Sequence, residues 1–320
     1  MSEVLLKVEN LKKYFPLPGK ILSSRKEAVR AVDGISFELR KGKTLSLVGE
    51  SGCGKTTAGK TILRLIEPTA GKVWLKDVDL AGLDEKGLRR MRKEMQIVFQ
   101  DPYSSLNPRM TVDRIIGEAL SIHRLATNQN REAKAVQVLE MVGLGADHLF
   151  RYPHEFSGGQ RQRIGIARAL AVSPELIVAD EPISSLDVSI QAQIINLLED
   201  LQKRLGLTYL FISHDLNVVA HISDHVGVMY LGRIVEMAPA QVLYRDPRHP
   251  YTQALLSSVP VADPTLKRQE IILEGEVPSP IHPPPGCHFH PRCSHRKKEC
   301  SSLEPSLQEK APGHFVACLP

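Results

Sequence analysis

The segment Gly49–Thr56 constrains the fold of this chain more than any other feature. It reads Gly-Glu-Ser-Gly-Cys-Gly-Lys-Thr and matches the pattern G-x-x-x-x-G-K-[ST] at every fixed position. The short apolar run Thr44–Val48 precedes it, and a helix is expected from about Lys55, so the glycines form a turn between a buried strand and a helix. Backbone N–H groups of such a turn, together with the positive end of the helix dipole, bind phosphate oxygens. Lys55 is expected to reach the β- and γ-phosphates, and Thr56 to offer its hydroxyl to Mg²⁺.

The composition is that of a soluble globular protein. With 320 residues, of which 42% are hydrophobic and 24% charged, the chain can build one large domain or two ordinary ones. It contains no run of about 18 apolar residues, and its first eleven residues lack the layout of a signal peptide, so we expect a cytoplasmic protein that reaches a membrane only by docking on other chains. The net charge of +5 suits a phosphate ligand and does not indicate nucleic-acid binding.

Apolar patterning predicts an α/β core. Strands are predicted at Val4–Tyr14, Val32–Leu39, Thr44–Val48, Gly71–Leu80, Met95–Phe99, Leu176–Ala179 and Thr208–Ile212. Helices are predicted between Val112 and Val172, with breaks at Thr127–Asn130 and Tyr152–Ser157, and again at Ile190–Leu205, while Pro16–Glu27 is predicted to be a loop. Buried strands that alternate with helices indicate a parallel sheet, and the helical block between Gln100 and Pro174 is interpreted as an inserted subdomain.

Two acids end the apolar run Leu176–Ala179. Carboxylates at the carboxyl end of a buried strand lie beside the phosphate loop in sheets of this kind, so Asp180 is expected to hold Mg²⁺ and Glu181 to polarise the attacking water. An acid pair at a strand end is common by itself, and only its combination with the phosphate loop indicates a hydrolytic site. Gln100 and His214 end two further predicted strands, where they could contact the water, the Mg²⁺ or the γ-phosphate. The alternatives are a solvent-facing loop glutamine and a structural histidine.

The segment Phe156–Gln160, Phe-Ser-Gly-Gly-Gln, resembles the signature motif of the ATP-binding cassette (ABC) ATPases, and it precedes the acidic strand by about 20 residues, as in that family. The family more often has Leu where this chain has Phe156. The remaining cassette motifs occur in the family's order, namely Tyr14, the phosphate loop, Gln100, the signature, Asp180-Glu181, Ser185–Asp187 and His214.

The resemblance implies roles position by position. Tyr14 would stack on adenine, Gln100 would link the site to a membrane partner, and Asp187 would lie in a loop at the contact between two cassettes. Ser157–Gln160 would contact the γ-phosphate of ATP held by the other cassette. Ser157 is a good helix N-cap, and Gly158 and Gly159 would leave the first N–H groups of the helix accessible to an anion.

The resemblance also implies the residues of each site. The nucleotide-binding set comprises Tyr14, Gly49, Ser51, Gly52, Cys53, Gly54, Lys55, Thr56, Thr57, Gln100, Asp180 and Asp187, with Ser157, Gly158, Gly159 and Gln160 contributed by the other cassette. The implied catalytic residues are Lys55, Gln100, Glu181 and His214, and the implied Mg²⁺ ligands are Thr56, Gln100 and Asp180.

Three further segments resemble the ATPases of oligopeptide and dipeptide importers: Asp101–Pro108, Tyr152–Glu155 and Pro247–Thr252. This narrower resemblance implies ATP hydrolysis that energises peptide import at the cytoplasmic face of the membrane. The implied partners are a homologous ATPase or a second copy, two membrane-spanning subunits and an extracytoplasmic binding protein, with no nucleic acid. Some members of the family carry sugars or nickel. Two rival functions are a soluble cassette protein that acts on DNA or ribosomes and a module that holds ATP without hydrolysing it.

A domain plan follows from the same resemblance. Residues 1–245 would form a RecA-like P-loop cassette with an antiparallel β-subdomain and a helical subdomain inserted at about 101–173. Residues 246–320, which are rich in proline, would form a separate metal-binding extension.

Four of the five cysteines lie in the last 34 residues: Cys287, Cys293, Cys300 and Cys318. A reducing compartment argues against disulfides, and the close Cys-x-x-Cys pairs typical of zinc sites are missing here. Four thiolates are the ligand set of a 4Fe–4S cluster, and the resemblance to peptide-importer ATPases with this tail implies such a cluster. Zinc and unligated thiols remain open as well, and zinc could add the loop histidines His288, His290 and His295.

Overall fold

The computed structural model describes residues 3–17, 27–127, 129–259 and 271–319. These residues fold as two compact units. The first unit contains Leu39–Lys43, Lys76–Ile212 and the beginning of the chain up to Leu5. The second contains Leu6–Glu38, Thr44–Leu75 and the chain from Ser213 onwards. Residues 18–26, which make up most of the predicted loop Pro16–Glu27, lie outside the described residues, and so does Asn128.

The helices and strands follow the predicted order. The strands are β1 (Val4–Pro16), β2 (Ala28–Arg40), β3 (Thr44–Val48), β4 (Ala70–Leu75), β5 (Val78–Asp79), β6 (Met95–Val98), β7 (Leu176–Asp180), β8 (Thr208–Ile212), β9 (His225–Tyr230), β10 (Arg233–Pro239), β11 (Gln308–Ala311) and β12 (His314–Val316). The α-helices are α1 (Lys55–Ile62), α2 (Glu85–Met91), α3 (Pro102–Ser105), α4 (Val112–Ile122), α5 (Arg131–Met141), α6 (Gly158–Leu170), α7 (Val188–Leu205), α8 (Leu216–Ile222), α9 (Ala240–Arg245) and α10 (Pro250–Ser257). None of the helices within the described ranges is long and apolar enough to cross a membrane.

A parallel sheet forms the centre of the first unit. β6 pairs with β7, and β7 pairs with β8, both in parallel. Every residue of β7 and β8 is buried, which is why these strands read in the sequence as continuous apolar runs rather than as alternating ones. The prediction of an α/β core with a parallel sheet is confirmed.

The inserted block of the first unit is helical, as predicted. α4 packs against α5, and both pack against α6. Arg131 of α5 donates to the Asp113 carboxylate of α4 at 2.9 Å, and Arg163 of α6 donates to the Val142 carbonyl at 2.6 Å. The gaps between the three helices contain the predicted breaks at Thr127–Asn130 and Tyr152–Ser157.

The second unit contains an antiparallel sheet and a mixed sheet. In the antiparallel sheet β1 lies between β2 and β4, with Leu6 opposite Leu75. In the mixed sheet β3 pairs with β9 in parallel, β9 with β10 in antiparallel, and the tail strand β12 joins the far side of β10. The predicted strand Gly71–Leu80 is wrong as one element, because Lys76 and Asp77 adopt φ values of 50° and 62° and form a turn between β4 and β5.

A buried carboxylate attaches the tail to this mixed sheet. Glu236 of β10 is fully buried, and its oxygens accept hydrogen bonds from the Arg248 backbone N–H at 2.8 Å and the His249 backbone N–H at 2.9 Å. The Nε2 atom of His314, which is itself fully buried in β12, lies 2.6 Å from the same carboxylate. The proline-rich tail is therefore joined to the sheet by backbone pairing and by a buried polar network.

Candidate functional site

Two glycines of the phosphate loop are required by close packing in the second unit. Gly49 has a φ of 147°, and a Cβ atom there would lie 2.2 Å from the Met229 carbonyl oxygen. Gly54 has a φ of 106°, and a Cβ atom there would lie 2.0 Å from the Ala31 carbonyl oxygen. A side chain at either position would move the loop, because both obstacles are backbone atoms.

The tip of the loop is open, whereas its lysine is buried. Ser51 and Gly52 are exposed, and a Cβ atom at Gly52 would meet no atom within 4 Å. Lys55 is only 5% exposed, and its ammonium group donates to the Gly49 carbonyl at 2.7 Å and the Glu50 carbonyl at 3.1 Å. A charged amine beside open loop N–H groups is the arrangement that binds a phosphate chain. Thr56 and Thr57 follow in the first turn of α1.

Cys53 packs inside the loop. It is 6% exposed, and its sulfur lies 3.7 Å from the Lys55 ammonium group. Burial raises the pKa of the Cys53 thiol, and the positive charge of Lys55 only partly opposes that effect. The side chain therefore stays a neutral thiol, as expected for a small packing residue.

Tyr14 is held by a polar chain that sequence reasoning missed. Its hydroxyl donates to the Asp33 carboxylate, and Arg233 donates to the same carboxylate at 2.8 Å. Burial and the bond to Asp33 raise the pKa of Tyr14 to about 12, so the ring stays neutral and oriented at physiological pH. The Arg30 guanidinium lies 5.9 Å from the ring centroid. No local pattern marks Asp33 or Arg233, which are 200 residues apart.

The first unit brings two predicted catalytic residues together. Asp180 is the last residue of β7 and is 3% exposed. Glu181 follows with a φ of 47°, in a left-handed conformation that is uncommon for a non-glycine residue and turns the chain sharply. The Gln100 amide donates to the Glu181 carboxylate at 2.9 Å. His214 is exposed and comes two residues after β8, at the beginning of the part of the chain that belongs to the second unit.

The predicted signature begins helix α6. Ser157 is its N-cap: the Ser157 hydroxyl accepts from the Gln160 N–H at 3.4 Å, and the Gln160 side chain accepts from the Ser157 N–H at 3.0 Å. This reciprocal pair fixes the first turn of the helix. Phe156 is 4% exposed, so an apolar residue before the N-cap is required by burial.

The first two glycines of α6 lie against the loop Ser185–Asp187 and the helix that follows. A Cβ atom at Gly158 would lie 3.3 Å from the Leu186 side chain. A Cβ atom at Gly159 would lie 2.5 Å from Cγ2 of Ile190. Asp187 is the N-cap residue of α7. The first unit therefore packs the signature directly beside the segment that was predicted to lie at the cassette contact.

Comparison with known families identifies the chain. The profile described as ABC transporter matches residues 32–184. The chain is 56% identical over 320 residues to the oligopeptide transport ATP-binding protein AppF of Bacillus subtilis, covering 99% of this chain and 97% of that protein. The chain belongs to the ABC transporter ATP-binding proteins. A second ABC relative, the putative oligopeptide transport ATP-binding protein YkfD of Bacillus subtilis, is 55% identical and covers 98% of this chain.

Solved structures agree with this ABC assignment. An ATP-binding cassette in a dimeric post-hydrolysis state bound to ADP and Pi aligns with a TM-score of 0.64 and 27% identity, covering 74% of this chain and 99% of the other. Clostridium perfringens cbiO1, part of the ABC transporter complex cbiONQ, aligns with a TM-score of 0.65 and 25% identity, covering 76% of this chain and 92% of the other. The chain has the P-loop ABC cassette fold, its nucleotide is ATP, and it is an ATPase.

A second profile matches the end of the ABC chain. Residues 235–300 match the family described as the oligopeptide/dipeptide transporter, C-terminal region. This match begins in β10 and extends through Cys300, so it includes Glu236, its backbone donors at Arg248 and His249, and three of the four tail cysteines.

The tight packing of Gly159 predicts a difference between two glycines of one helix. In Gly159→Ala the new methyl group must displace Ile190, whereas in Gly165→Ala it meets no atom within 4 Å outside the helix backbone. Both variants gain the helix propensity of alanine. We expect the free energy of unfolding of Gly159→Ala to be about 1–3 kcal/mol lower than that of Gly165→Ala. Thermal and denaturant unfolding measure the difference, and equal stabilities would contradict the packing argument.

Proposed function

We propose that this chain is the ATP-hydrolysing subunit of an importer for di- or oligopeptides. The observation that carries the proposal is the match between this chain and oligopeptide transport ATP-binding proteins, which covers nearly the full length of this chain and of each relative. The match includes the C-terminal region that is described for this transporter class. A phosphate loop alone supports only nucleotide binding. The tail is what supports the narrower function, because it lies outside the match to ABC transporters in general.

We propose that ATP binds with its phosphates on the N–H groups of the phosphate loop and with its adenine on Tyr14. The open tip at Ser51 and Gly52, the buried Lys55 and the fixed ring of Tyr14 support this assignment. Oxygen donors suit Mg²⁺, and Thr56, Gln100 and Asp180 offer them. Bound Mg²⁺ would supply charge neutralisation at the β- and γ-phosphates.

The hydrolytic step is proposed to depend on Glu181. Its carboxylate orients the attacking water and accepts its proton, while Gln100, which donates to that carboxylate, holds it in position. Lys55 and His214 stabilise the negative charge that develops on the γ-phosphate. The left-handed backbone at Glu181 is uncommon for a non-glycine residue, and such strained positions cluster at functional sites, which supports a functional rather than a packing role.

A second cassette, either another copy or a homologous ATPase, is proposed to complete the site. The N-terminus of α6 supports this role, because Gly158 and Gly159 add no side chains in the first turn, where backbone N–H groups can bind an anion. Ser157, Gly158, Gly159 and Gln160 would contact the γ-phosphate held by the partner cassette, with Asp187 at the contact. ATP binding shifts the equilibrium between the open and closed states of the two cassettes towards the closed dimer, and hydrolysis shifts it back towards the open state.

The importer would also contain two membrane-spanning permease subunits and an extracytoplasmic binding protein, with this chain at the cytoplasmic face of the membrane. Residues 1–245 are proposed to be the cassette, with its helical subdomain at about 101–173, and residues 246–320 the transporter-specific extension. The profile match at residues 235–300 supports a specialised C-terminal region.

We further propose that the tail holds a 4Fe–4S cluster. All four tail cysteines are free and line one cavity of about 370 Å³ in the second unit. Burial raises the thiol pKa values of Cys287, Cys293 and Cys318, and the neighbouring cysteines raise each of them further, so the metal-free thiols are neutral. Iron would bind these sulfurs as thiolates and displace their protons.

The four tail cysteines supply the thiolate ligand set of a 4Fe–4S cluster, and zinc is the alternative. No three His, Cys, Asp or Glu side chains in the described part of the chain are grouped closely enough to hold one metal ion, so the arrangement of the cysteines does not itself support a bound metal. The cavity of about 370 Å³ that the cysteines line leaves room for a cluster. The cluster is proposed to stabilise the fold of the tail, which has little apolar content.

Glu181→Gln should nearly abolish ATP turnover. The amide keeps the size of the side chain but cannot accept a proton, so we expect a loss of at least about 100-fold in kcat. ATP-dependent dimerisation should persist, because the groups that bind ATP are intact. Glu132→Gln, in the exposed first turn of α5, should keep normal turnover. Steady-state phosphate release and light scattering measure the two properties, and near-normal hydrolysis by Glu181→Gln would remove Glu181 from the role of base.

Peptide uptake tests the proposed cargo. Cells whose only copy of this chain carries Glu181→Gln should lose uptake of labelled di- and oligopeptides and keep uptake of unrelated solutes. The Glu132→Gln strain should take up peptides normally. If peptide uptake stays normal while uptake of a sugar or of nickel falls, the ATPase role stands and the peptide assignment is wrong.

Iron and sulfide content tests the cluster. After anaerobic purification we expect about four irons and four sulfides per chain. Cys293→Ser should lose them, because one of the four ligands is gone. Cys53→Ser, which changes the fifth cysteine outside the cavity, should keep them. If zinc is found without sulfide, the bound metal is zinc and the cluster assignment is wrong. If the metal-free Cys293→Ser tail resists proteases as well as the wild-type tail, the proposed role in stabilising the tail is wrong.

A further inference from the structure

Every polar group of Glu50, the second residue of the phosphate loop, is engaged within the second unit. Its carbonyl accepts from the Lys55 ammonium group at 3.1 Å and from the Cys53 N–H at 3.3 Å. Its N–H donates to the Tyr251 hydroxyl at 2.9 Å. Its carboxylate forms two parallel hydrogen bonds with Arg292, at 2.8 and 3.1 Å. The sequence motif allows any residue at position 50, yet the backbone and the side chain of Glu50 are both fixed by hydrogen bonds.

Arg292 belongs to the four-cysteine tail. It ends a short 3-10 turn, His290–Arg292, and directly precedes Cys293. Its side chain is 7% exposed, and that of Glu50 is 30% exposed, so the pair is largely shielded from water. A bidentate arginine–carboxylate pair has a fixed geometry as well as a charge, which distinguishes it from the flexible ion pairs of a surface.

An aromatic cluster fixes the tail beside the loop. Phe289, three residues before Arg292, is 2% exposed, and its ring centroid lies 5.2 Å from that of Tyr230 and 5.4 Å from that of Tyr251. Tyr251 is the residue whose hydroxyl receives the Glu50 N–H. The two contacts that the C-terminal region makes with Glu50 therefore come from one packed cluster of side chains.

We propose that Arg292 is a positioning residue for ATP binding, acting through Glu50 to hold the phosphate loop in its binding conformation. This rests on the proposed ATP site. A loop that is already in its binding conformation binds more tightly than one that must be selected from an ensemble. Arg292 also neutralises a carboxylate that stands in the loop itself, where an unpaired negative charge would repel phosphate. Tail and phosphate loop thereby act as one binding element.

The central test is the affinity for a fluorescent ATP analogue, measured on the full chain. Arg292→Ala should raise the Kd about tenfold, because only a fraction of the loops then has the binding conformation. Arg292→Lys keeps the charge without the paired hydrogen bonds and should give a rise of about threefold. Arg296→Ala, an exposed arginine of the same tail, should bind like wild type. In turnover assays KM for ATP should rise while kcat stays within about twofold.

A double variant separates action through Glu50 from a general effect on the tail. In Glu50→Gln/Arg292→Ala the unpaired carboxylate is gone, so the Kd should fall below that of Arg292→Ala alone. A double variant that binds more weakly than Arg292→Ala would show that the two residues act independently and would overturn the proposal. So would Arg292→Ala with the affinity of Arg296→Ala. If Arg292→Ala fails to fold, Arg292→Lys decides the question by the same comparison.

Lys55→Ala separates this inference from the proposed function. We expect it to abolish binding of the ATP analogue, because the charge beside the loop is lost. If Lys55→Ala binds normally, the assigned ATP site is wrong. If Lys55→Ala loses binding but Arg292→Ala and Arg296→Ala both bind like wild type, the ATP site stands and only the role of Arg292 is wrong.

Discussion

The carboxylate of Glu236 is the interaction on which the second unit depends. It is fully buried, and it is compensated only because two backbone N–H groups at the start of α10 and His314 of β12 converge on it. A buried charge that lost one of these partners would cost several kcal/mol. Glu236 therefore requires β10, α10 and the tail to form together. Through that assembly it fixes Tyr251 and Phe289, and through them the environment of Glu50.

The parts of this fold that could be predicted from the sequence are those with short-range patterns. β3, β7 and β8 are fully buried strands of five residues, and each corresponds to an apolar run that a predicted site residue or a glycine turn follows. The N-cap at Ser157 and the helix that follows it were predictable for the same reason, because the capping box lies within four residues. The catalytic candidates Gln100 and Glu181 were found as strand ends, and a hydrogen bond joins them.

What could not be predicted depends on pairing between distant segments. The polar chain that holds Tyr14 joins Asp33 to Arg233, and the ion pair that fixes the phosphate loop joins Glu50 to Arg292. Neither pair has a local signature, since each residue alone reads as an ordinary surface charge. The tail was predicted from its prolines and cysteines to be a separate appendage, yet β12 pairs with β10. Three residues are too few to show a strand period when their partner lies far away in the chain. The strand boundary at Lys76 was missed because positive φ values at a lysine and an aspartate leave no clear mark in the sequence.

The separation of 242 residues between Glu50 and Arg292 has a consequence for biosynthesis. The phosphate loop is translated 242 residues before Arg292, the arginine that pairs with it. Contacts between such distant segments close late, because the entropy of a long loop must be overcome first. A nascent or truncated chain that stops before Arg292 therefore carries the complete phosphate-loop sequence without the Glu50–Arg292 ion pair. ATP binding at full affinity then requires that Arg292 has been translated and has paired with Glu50.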